Sequence, residues 1–425
     1  MENRYDKYKD SGIAWIGEIP EHWEVKKLGH LYIPRNEKVS DKDYPALSVT
    51  MQGVLLQLEN VAKTNDGDNR KLVKIGDFAI NSRSDRRGSC GISKYDGSVS
   101  LINIVLTPIN DMNPVYYEWL FHSSLFSDEY YRWGHGIVND LWTTRWQEMK
   151  NIQIAAPPLH EQQLIATYLD QKCSEIDELI TLQEEMITKL QSYKQSVITE
   201  AVTKGLDKNV PLKDSGIEWI GEIPEHWNIC KLKNIFLLST GTTPKDFDQT
   251  SEEDNLINWY TPSDILDSCN DLFSSQRKLS EKVIYANKIS LFPIGTLLYV
   301  GIGASAGKVG YANENGYSNQ QITGLIPLNC YSRFYFYYLS ALKDKIRDNA
   351  FFTTLPIINN AYLGQELIPF PTISEQQSIA DYLDQKCSEI DELISIKQQK
   401  IEKLKDYKKS LIFECVTGKK SISHD

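Results

Sequence analysis

Arg83, Arg86 and Arg87, clustered in NSRSDRRGSCG, are the side chains of this sequence best suited to phosphate or guanine. A guanidinium is a rigid fork of donors, and the fork matches two acceptors on a phosphate or on the O6/N7 edge of guanine. Ser82 beside them adds a hydroxyl, and Lys94 further on adds a point charge. The Ser and Gly content of this run, set between two β-branched stretches, predicts a loop joining strands. At the corresponding place later in the chain, GIGASAGKVG carries Ser305 and Lys308. It departs from a phosphate loop, because Ile302 stands where GxxxxGK[ST] requires Gly and Val309 where it requires Ser or Thr. Four more stretches carry groups that suit base edges. They are Gln52 in SVTMQGV, Ser263 in WYTPSDI, Asn139, Thr144 and Arg145 in GHGIVNDLWTTRW, and Thr354 and Asn359 in FFTTLPIINN. Asn and Gln can pair with adenine at two points, while Ser and Thr accept either base.

No catalytic set accompanies these residues. HExxH, a Cys–His pairing and an ordered carboxylate–lysine cluster are all missing. NPVY at Asn113 to Tyr116 reads as a helix start with Pro just inside. The seven cysteines form no CxxC pair, so neither a zinc site nor a disulfide framework is expected. Cys173 and Cys387 read as small apolar residues on helices. The expectation is a binding protein, with no catalytic residue, metal or cofactor of its own.

The elements that must position the loops come from two repeats. EQQLIATYLDQKCSEIDELI from Glu161 to Ile180 returns as EQQSIADYLDQKCSEIDELI from Glu375 to Ile394, and KDSGIAWIGEIPEHW from Lys9 to Trp23 returns as KDSGIEWIGEIPEHW from Lys213 to Trp227. Between these copies the sequence is nearly unrelated. A chain with fixed connectors and divergent inserts reads as two different heads on one symmetric frame.

Each EQQ repeat predicts a long helix, uninterrupted by Pro or Gly until Gly205 or Gly418. Leu169, Ile176, Gln183, Leu190 and Val197 occupy one heptad position, and Leu179, Met186 and Tyr193 fall three residues on. Leu383, Ile390, Leu404 and Leu411 repeat the first set, with Leu393 and Tyr407 repeating the second, and Ile180, Ile187 and Ala201 with Ile394 and Ile401 widen the stripe. Such a stripe needs a partner, and the other copy is the obvious one. Trp15, Trp23, Trp219 and Trp227 are assigned to packing against this frame.

The order block, insert, helix occurs twice, so the expected fold is α+β, pseudo-twofold, with two mixed α/β domains and two long helices in an antiparallel coiled coil. The expected boundaries are 1–23 for the first frame block, 24–158 for the first insert and 159–204 for the central helix. Residues 205–227 form the linker and second block, 228–372 the second insert, 373–418 the second long helix and 419–425 a tail.

The 425 residues suffice for several cores. The formal net charge of −11 argues at first against a nucleic-acid partner, but the inserts are close to neutral and the acidity lies in the frame and its flanks. The position of basic groups therefore matters more than the sum. No apolar run is long enough to span a bilayer and the N-terminal segment is charged, so a cytoplasmic location away from any membrane is expected.

Together, the EQQ repeats at helix starts, the SGIxWIGEIPEHW blocks and the two divergent inserts resemble the specificity subunit of type I restriction-modification enzymes over essentially the whole chain. The resemblance implies two target-recognition domains reading the two halves of a bipartite site in double-stranded DNA. It also implies a scaffold for two methyltransferase subunits, joined by restriction subunits. S-adenosylmethionine, ATP and magnesium would belong to those partners. The competing reading is a coiled-coil adaptor carrying two protein-binding domains.

Overall fold

The computed structural model describes residues 4–57, 67–83, 86–109, 111–136, 142–244, 256–266, 270–287, 289–348 and 357–422. The chain divides into two compact units, Met1–Glu184 with Gln398–Asp425, and Glu185–Lys397. Each unit contains one block, one insert and a segment of each long helix.

The long helices run from Leu159 to Lys204 and from Ile373 to Val416. Both have a glutamate of the EQQ triplet in the first turn, where the helix dipole favours negative charge. Each is followed closely by a glycine with left-handed backbone, Gly205 at φ 75° and Gly418 at φ 73°. These glycines lie beneath the block tryptophans. A Cβ on Gly205 would meet Trp227 at 3.3 Å, and one on Gly418 would meet Pro20 at 2.3 Å. Only glycine meets both the backbone and the space requirement there.

The helical seam differs from expectation in phase. Leu169, Ile176, Leu383 and Ile390 are buried, and Leu190 and Leu404 are half-buried. Leu179, Met186, Tyr193, Leu393 and Tyr407 are exposed. The second seam position lies four residues after the first rather than three. It is filled by Cys173, Ile180, Ile187, Lys194 and Ala201, and in the other helix by Cys387, Ile394, Ile401, Lys408 and Cys415. The leucine position is therefore d of the heptad and not a. Ile180, Ile187, Ala201, Ile394 and Ile401, read from the sequence as widening the stripe, are therefore part of the seam itself.

Lysines at two of these second positions reach across to aspartates. Lys408 Nζ lies 2.6 Å from Asp177 in the first unit, and Lys194 Nζ lies 2.7 Å from Asp391 in the second. These pairs are equivalents under the repeat. With their carboxylates more than half exposed they add little stability, but they fix register. In the first unit Tyr168 lies under Lys420 and Asp177 beside Lys408, so the partner number falls as the helix advances and the pairing is antiparallel.

The repeated triplet joins block, helix and insert. Glu161 accepts hydrogen bonds from Trp23 Nε1 at 3.0 Å and Tyr5 Oη at 2.8 Å, with His22 Nε2 at 2.5 Å. Glu375 accepts from Trp227 Nε1 at 3.1 Å, with His226 Nε2 at 2.6 Å, and from Thr372. Gln162 and Gln376 each span a helix start and an insert. Their Oε1 atoms accept from the backbone N–H of Asn113 and Tyr331 at 2.9 and 2.8 Å, and their Nε2 atoms donate to the carbonyls of Pro157 and Pro371. Because the glutamines read backbone, the insert side chains at these points are free to differ.

Burial raises the Glu375 carboxyl, but hydrogen bonds from His226, Thr372 and Trp227 outweigh it and hold its pKa down at about 2. A folded pKa below the unfolded value of 4.5 gives stability that is present above 4.5 and lost as pH falls towards 2. Acid titration of unfolding free energy should therefore show a loss over that window that Glu375→Gln lacks. Parallel curves for the two proteins would refute the assignment.

Each insert closes on itself. Glu24–Lys27 pairs antiparallel with Gln153–Ala156, and Asn228–Lys231 with Leu367–Phe370, so the chain enters and leaves each insert on adjacent strands. The first insert carries a four-stranded sheet in the spatial order Cys90–Ile92, Phe78–Asn81, Asn103–Pro108, Tyr32–Pro34. The second has the matching order with one strand added, as Asn270–Leu272, Val309–Ala312, Leu297–Val300, Ile322–Pro327, Phe236–Thr240. The aromatic segments VYYEWLFHSSLFSDEYYRW and YSRFYFYYLSALKDKIRD each form two helices, broken at Ser123 and at Leu342. Asn113 caps the first of these, its side chain accepting from Tyr116 N at 3.0 Å, as read from NPVY.

The cores run through both parts. In the first unit Tyr32, Phe78, Tyr116 and Phe121 of the insert form one cluster with Ile16 and Trp23 of the block and Leu169, Ile176, Leu411 and Val416 of the helices. In the second unit Phe236, Tyr299, Phe334 and Tyr338 do the same with Trp227, Val202 and Leu383. Trp23 and Trp227 are fully buried, and Trp15 and Trp219 pack on the clusters. All four tryptophans therefore serve the frame. No helix among the described residues is long and apolar enough to cross a membrane.

Candidate DNA interface

Strand Phe78–Asn81 continues into the arginine loop, where Arg83 forms an isolated antiparallel bridge with Thr143. The Arg83 backbone is fixed on both sides, its N–H donating to Asn81 Oδ1 at 3.0 Å and its carbonyl accepting from Tyr131 Oη at 3.0 Å. The guanidinium end of the residue lies at the surface. Arg145, also exposed, precedes the short helix Trp146–Met149, with its N–H on Glu148 Oε2 at 3.1 Å. Arg83 and Arg145 line one cleft of about 340 Å³ with Asn36, Lys71, Thr143, Trp146 and the pair Leu101–Ile102. Lys71 Nζ donates to the Asn103 carbonyl at 2.7 Å, and burial lowers the pKa of this ammonium. Arg83, Arg145 and Lys71 give the cleft its basic character.

The second insert has a cleft of about 350 Å³ in the matching place. It opens where strand Leu297–Val300 runs out, beside the bridge Ile302–Ile357, and ends at Asn359 before the short helix Asn360–Gln365. Asn359 Oδ1 caps that helix by accepting from Tyr362 N at 2.8 Å. Gln320 and Gln321 stand where the first cleft has Leu101 and Ile102, directly before the equivalent strands Ile322–Pro327 and Asn103–Pro108. Ile302 and Ile357 replace Arg83 and Thr143. The architecture is retained while almost every lining side chain has changed character.

The remaining candidates scatter. Ser82 is buried and its hydroxyl donates to the Ile102 carbonyl at 2.5 Å. Thr144 is fully buried, donating to the Tyr130 carbonyl at 2.9 Å. Both are wall residues rather than exposed donors, because the strand-to-loop turn needs their hydroxyls. Arg86 is exposed in the loop, its N–H on the Arg83 carbonyl at 3.3 Å. Arg87 lies over the Tyr131 ring at 5.0 Å and reaches Asp128 at 3.4 Å, so part of its charge is engaged within the insert. Lys94 lines a different cleft, beside Trp119, Asp170 and Glu178 of the central helix, and is separate from the arginines. Gln52 is exposed at the tip of the hairpin Leu47–Thr50/Gly53–Leu56. Ser263 is exposed on a short turn, its hydroxyl 2.7 Å from Thr261 Oγ1. Ser305 and Lys308 lie in a glycine turn with Gly303 at φ 101° and Gly307 at φ 93°, Lys308 N donating to the Ser305 carbonyl. Asn139 and Thr354 lie outside the described residues. Among the described residues there is no group of three or more His, Cys, Asp and Glu that could hold a metal.

A model of the type I restriction modification DNA specificity domain matches residues 20–191 and again 224–406. The chain belongs to this family. Each match takes in one insert and the start of the long helix that follows it, so the family unit is the repeated half found here. The chain is 26% identical over 425 residues, 95% of each protein, to the MjaX chain of Methanocaldococcus jannaschii, provisionally described as a type I restriction enzyme specificity subunit. Its fold is similar to that of a chain from a solved structure on complex assembly and conformational transition of a type I restriction-modification system. That likeness has a TM-score of 0.74 at 15% identity, covering 94% of this chain and 98% of that one. The HsdS subunit of Thermoanaerobacter tengcongensis is similar with a TM-score of 0.56 at 17% identity, covering 94% and 98%.

Leu101, Ile102, Gln320, Gln321, Trp146 and Asn360 are cleft residues that the sequence reading passed over. The signal was present in the alignment of SLINIVLTP with NQQITGLIP, where the positions before a retained strand change from aliphatic to amide.

Proposed function

We propose that this specificity-family chain is a non-catalytic DNA reader, each insert recognising one half of a bipartite site in double-stranded DNA. The observation that carries this reading is the pair of equivalent clefts, alike in backbone and different in lining. Uniform phosphate binding gives no reason for the linings to diverge, whereas reading two different half-sites requires it. Methyl transfer, and any restriction activity, would reside on partner subunits, which would also hold S-adenosylmethionine, ATP and magnesium. Mapping methylated adenines in DNA modified by the assembled complex should give two short specified blocks separated by an unspecified spacer. A single contiguous site would overturn the proposal.

The frame supports attachment of two copies of one methyltransferase. Leu179 and Leu393, Leu182 and Ile396, and Tyr193 and Tyr407 are repeat equivalents, and all are exposed. Exposed apolar side chains repeated on a near-identical helix suit two identical contacts. The double variant Leu179→Lys, Leu393→Lys should keep its thermal melting temperature and lose co-purification with the methyltransferase. Undiminished co-purification would move the docking surface elsewhere.

A further inference from the structure

Resting on the DNA-reading proposal, we infer that the two clefts are the base-reading sites and differ in kind, the first taking a guanine and the second an A·T pair. In the first, Arg83 and Arg145 project from backbone held by hydrogen bonds on both sides of each arginine's α-carbon. Arginine has donors only, so it satisfies the O6 and N7 acceptors of guanine and cannot accept from the adenine amino group. In the second, no arginine or lysine lines the cleft among the described residues, and amides line it instead. Asn360 is held at both ends, its Oδ1 accepting from Thr323 at 2.6 Å and its Nδ2 donating to Thr240 at 2.9 Å. Gln321 is half-buried, and its Oε1 accepts from Asn319 Nδ2 at 3.0 Å. Gln320 beside it is exposed, its Oε1 accepting from Thr243 Oγ1 and its Nε2 left as the outward donor.

A glutamine amide offers one acceptor and one donor, the complement of adenine N6 and N7. In the same cleft, the exposed aliphatic side chains of Ile302 and Ile357 suit the thymine methyl group, which no other base carries in the major groove. Amide and aliphatic together match the two edges of one A·T pair. In the first cleft Leu101 and Ile102 occupy the glutamine positions, so no glutamine is presented there, although Asn36 and Asn103 also line it. The exchange of arginine and glutamine between two otherwise matched clefts separates base reading from phosphate holding, because phosphates are the same in both half-sites.

The test uses the full chain purified with its methyltransferase subunit and a random duplex library, with bound duplexes sequenced. For Arg83→Ala, discrimination at one G·C position in one half-site should fall about 10–100-fold, the range for losing a bidentate pair. The other half-site should be unchanged. Gln320→Ala with Gln321→Ala should relax an A·T position in the other half-site. Arg83→Lys keeps the charge without the fork and should retain overall affinity while losing discrimination. These side chains are at or near the surface, and melting temperatures should stay at the wild-type value. A uniform loss of binding across all sequences, with a smaller salt dependence, would identify Arg83 as a phosphate contact and overturn the assignment. Relaxation of both variants in the same half-site, or at bases other than those named, would also overturn it. A library with no bipartite motif for the wild-type complex would instead overturn the DNA-reading proposal beneath it.

Discussion

Trp227→Ala is expected to destabilise the second unit by about 3–5 kcal/mol, the range for truncating a buried tryptophan. The indole is fully buried, closes over Gly205 and donates to Glu375. Its removal opens a cavity among Val202, Leu383 and Phe334 and takes one donor from a carboxylate that then depends on His226 and Thr372. Trp227→Phe should cost less, since it retains most of the volume and loses the N–H. The measurement is denaturant unfolding together with hydrogen exchange of the amides in Val197–Val202 and Ile379–Cys387. A loss below about 1 kcal/mol, the usual span of surface changes, would show that the block does not hold the helix end.

Arg333→Ala should cost about 1.5–3 kcal/mol, the range for hydrogen bonds to charged groups, because the two carboxylates left behind are more than a third exposed. The guanidinium is 13% exposed and bridges two carboxylates, Asp271 of the insert and Asp384 of the long helix. Its Nη2 lies 2.9 Å from Asp271 and its Nε 2.8 Å from Asp384, while Tyr311 and Phe336 flank it at 4.8 and 4.9 Å. Burial raises the Asp271 carboxyl, but the hydrogen bonds from Arg333 and Asn313 outweigh it and leave it lowered. Truncation therefore leaves two partly exposed aspartates without their shared cation. In the first unit the repeat equivalent of Asp384 is Asp170, which accepts from Trp119 Nε1 at 2.8 Å. The loss should thus appear in amides of the second insert and not in those of the first. Equal loss of protection in both inserts would contradict this placement.

The contrast at Asp170 and Asp384 shows which parts of the molecule were legible in the sequence. The frame residues repeat because each does the same task twice, so the long helices, the buried block tryptophans and the two-unit plan followed from repetition alone. The seam phase did not, because Ile180 and Ile187 carry no stronger hydrophobic signal than Leu179 and Met186, which prove to be exposed. Hydrophobicity marks a stripe, while burial depends on which edge of it faces the partner. The arginine loop was legible by composition, yet composition could not show that Thr144 and Ser82 would spend their hydroxyls on carbonyls or that Lys94 would line a different cleft. Cleft membership depends on strands far apart in sequence. Leu101, Arg145 and Asn36 meet only because Asn103–Pro108 lies between Phe78–Asn81 and Tyr32–Pro34.

The central claim is that one repeated frame carries two interchangeable heads. Paired entry and exit strands and the backbone-reading glutamines Gln162 and Gln376 support exchange of the inserts without altering the frame. The direct measurement is methylation mapping with a chain in which residues 24–158 also replace 228–372, assembled with its methyltransferase. The account predicts a site made of two copies of the first half-site, with the second half-site gone. Retention of the original two half-sites, from a complex that assembles and methylates, would contradict it.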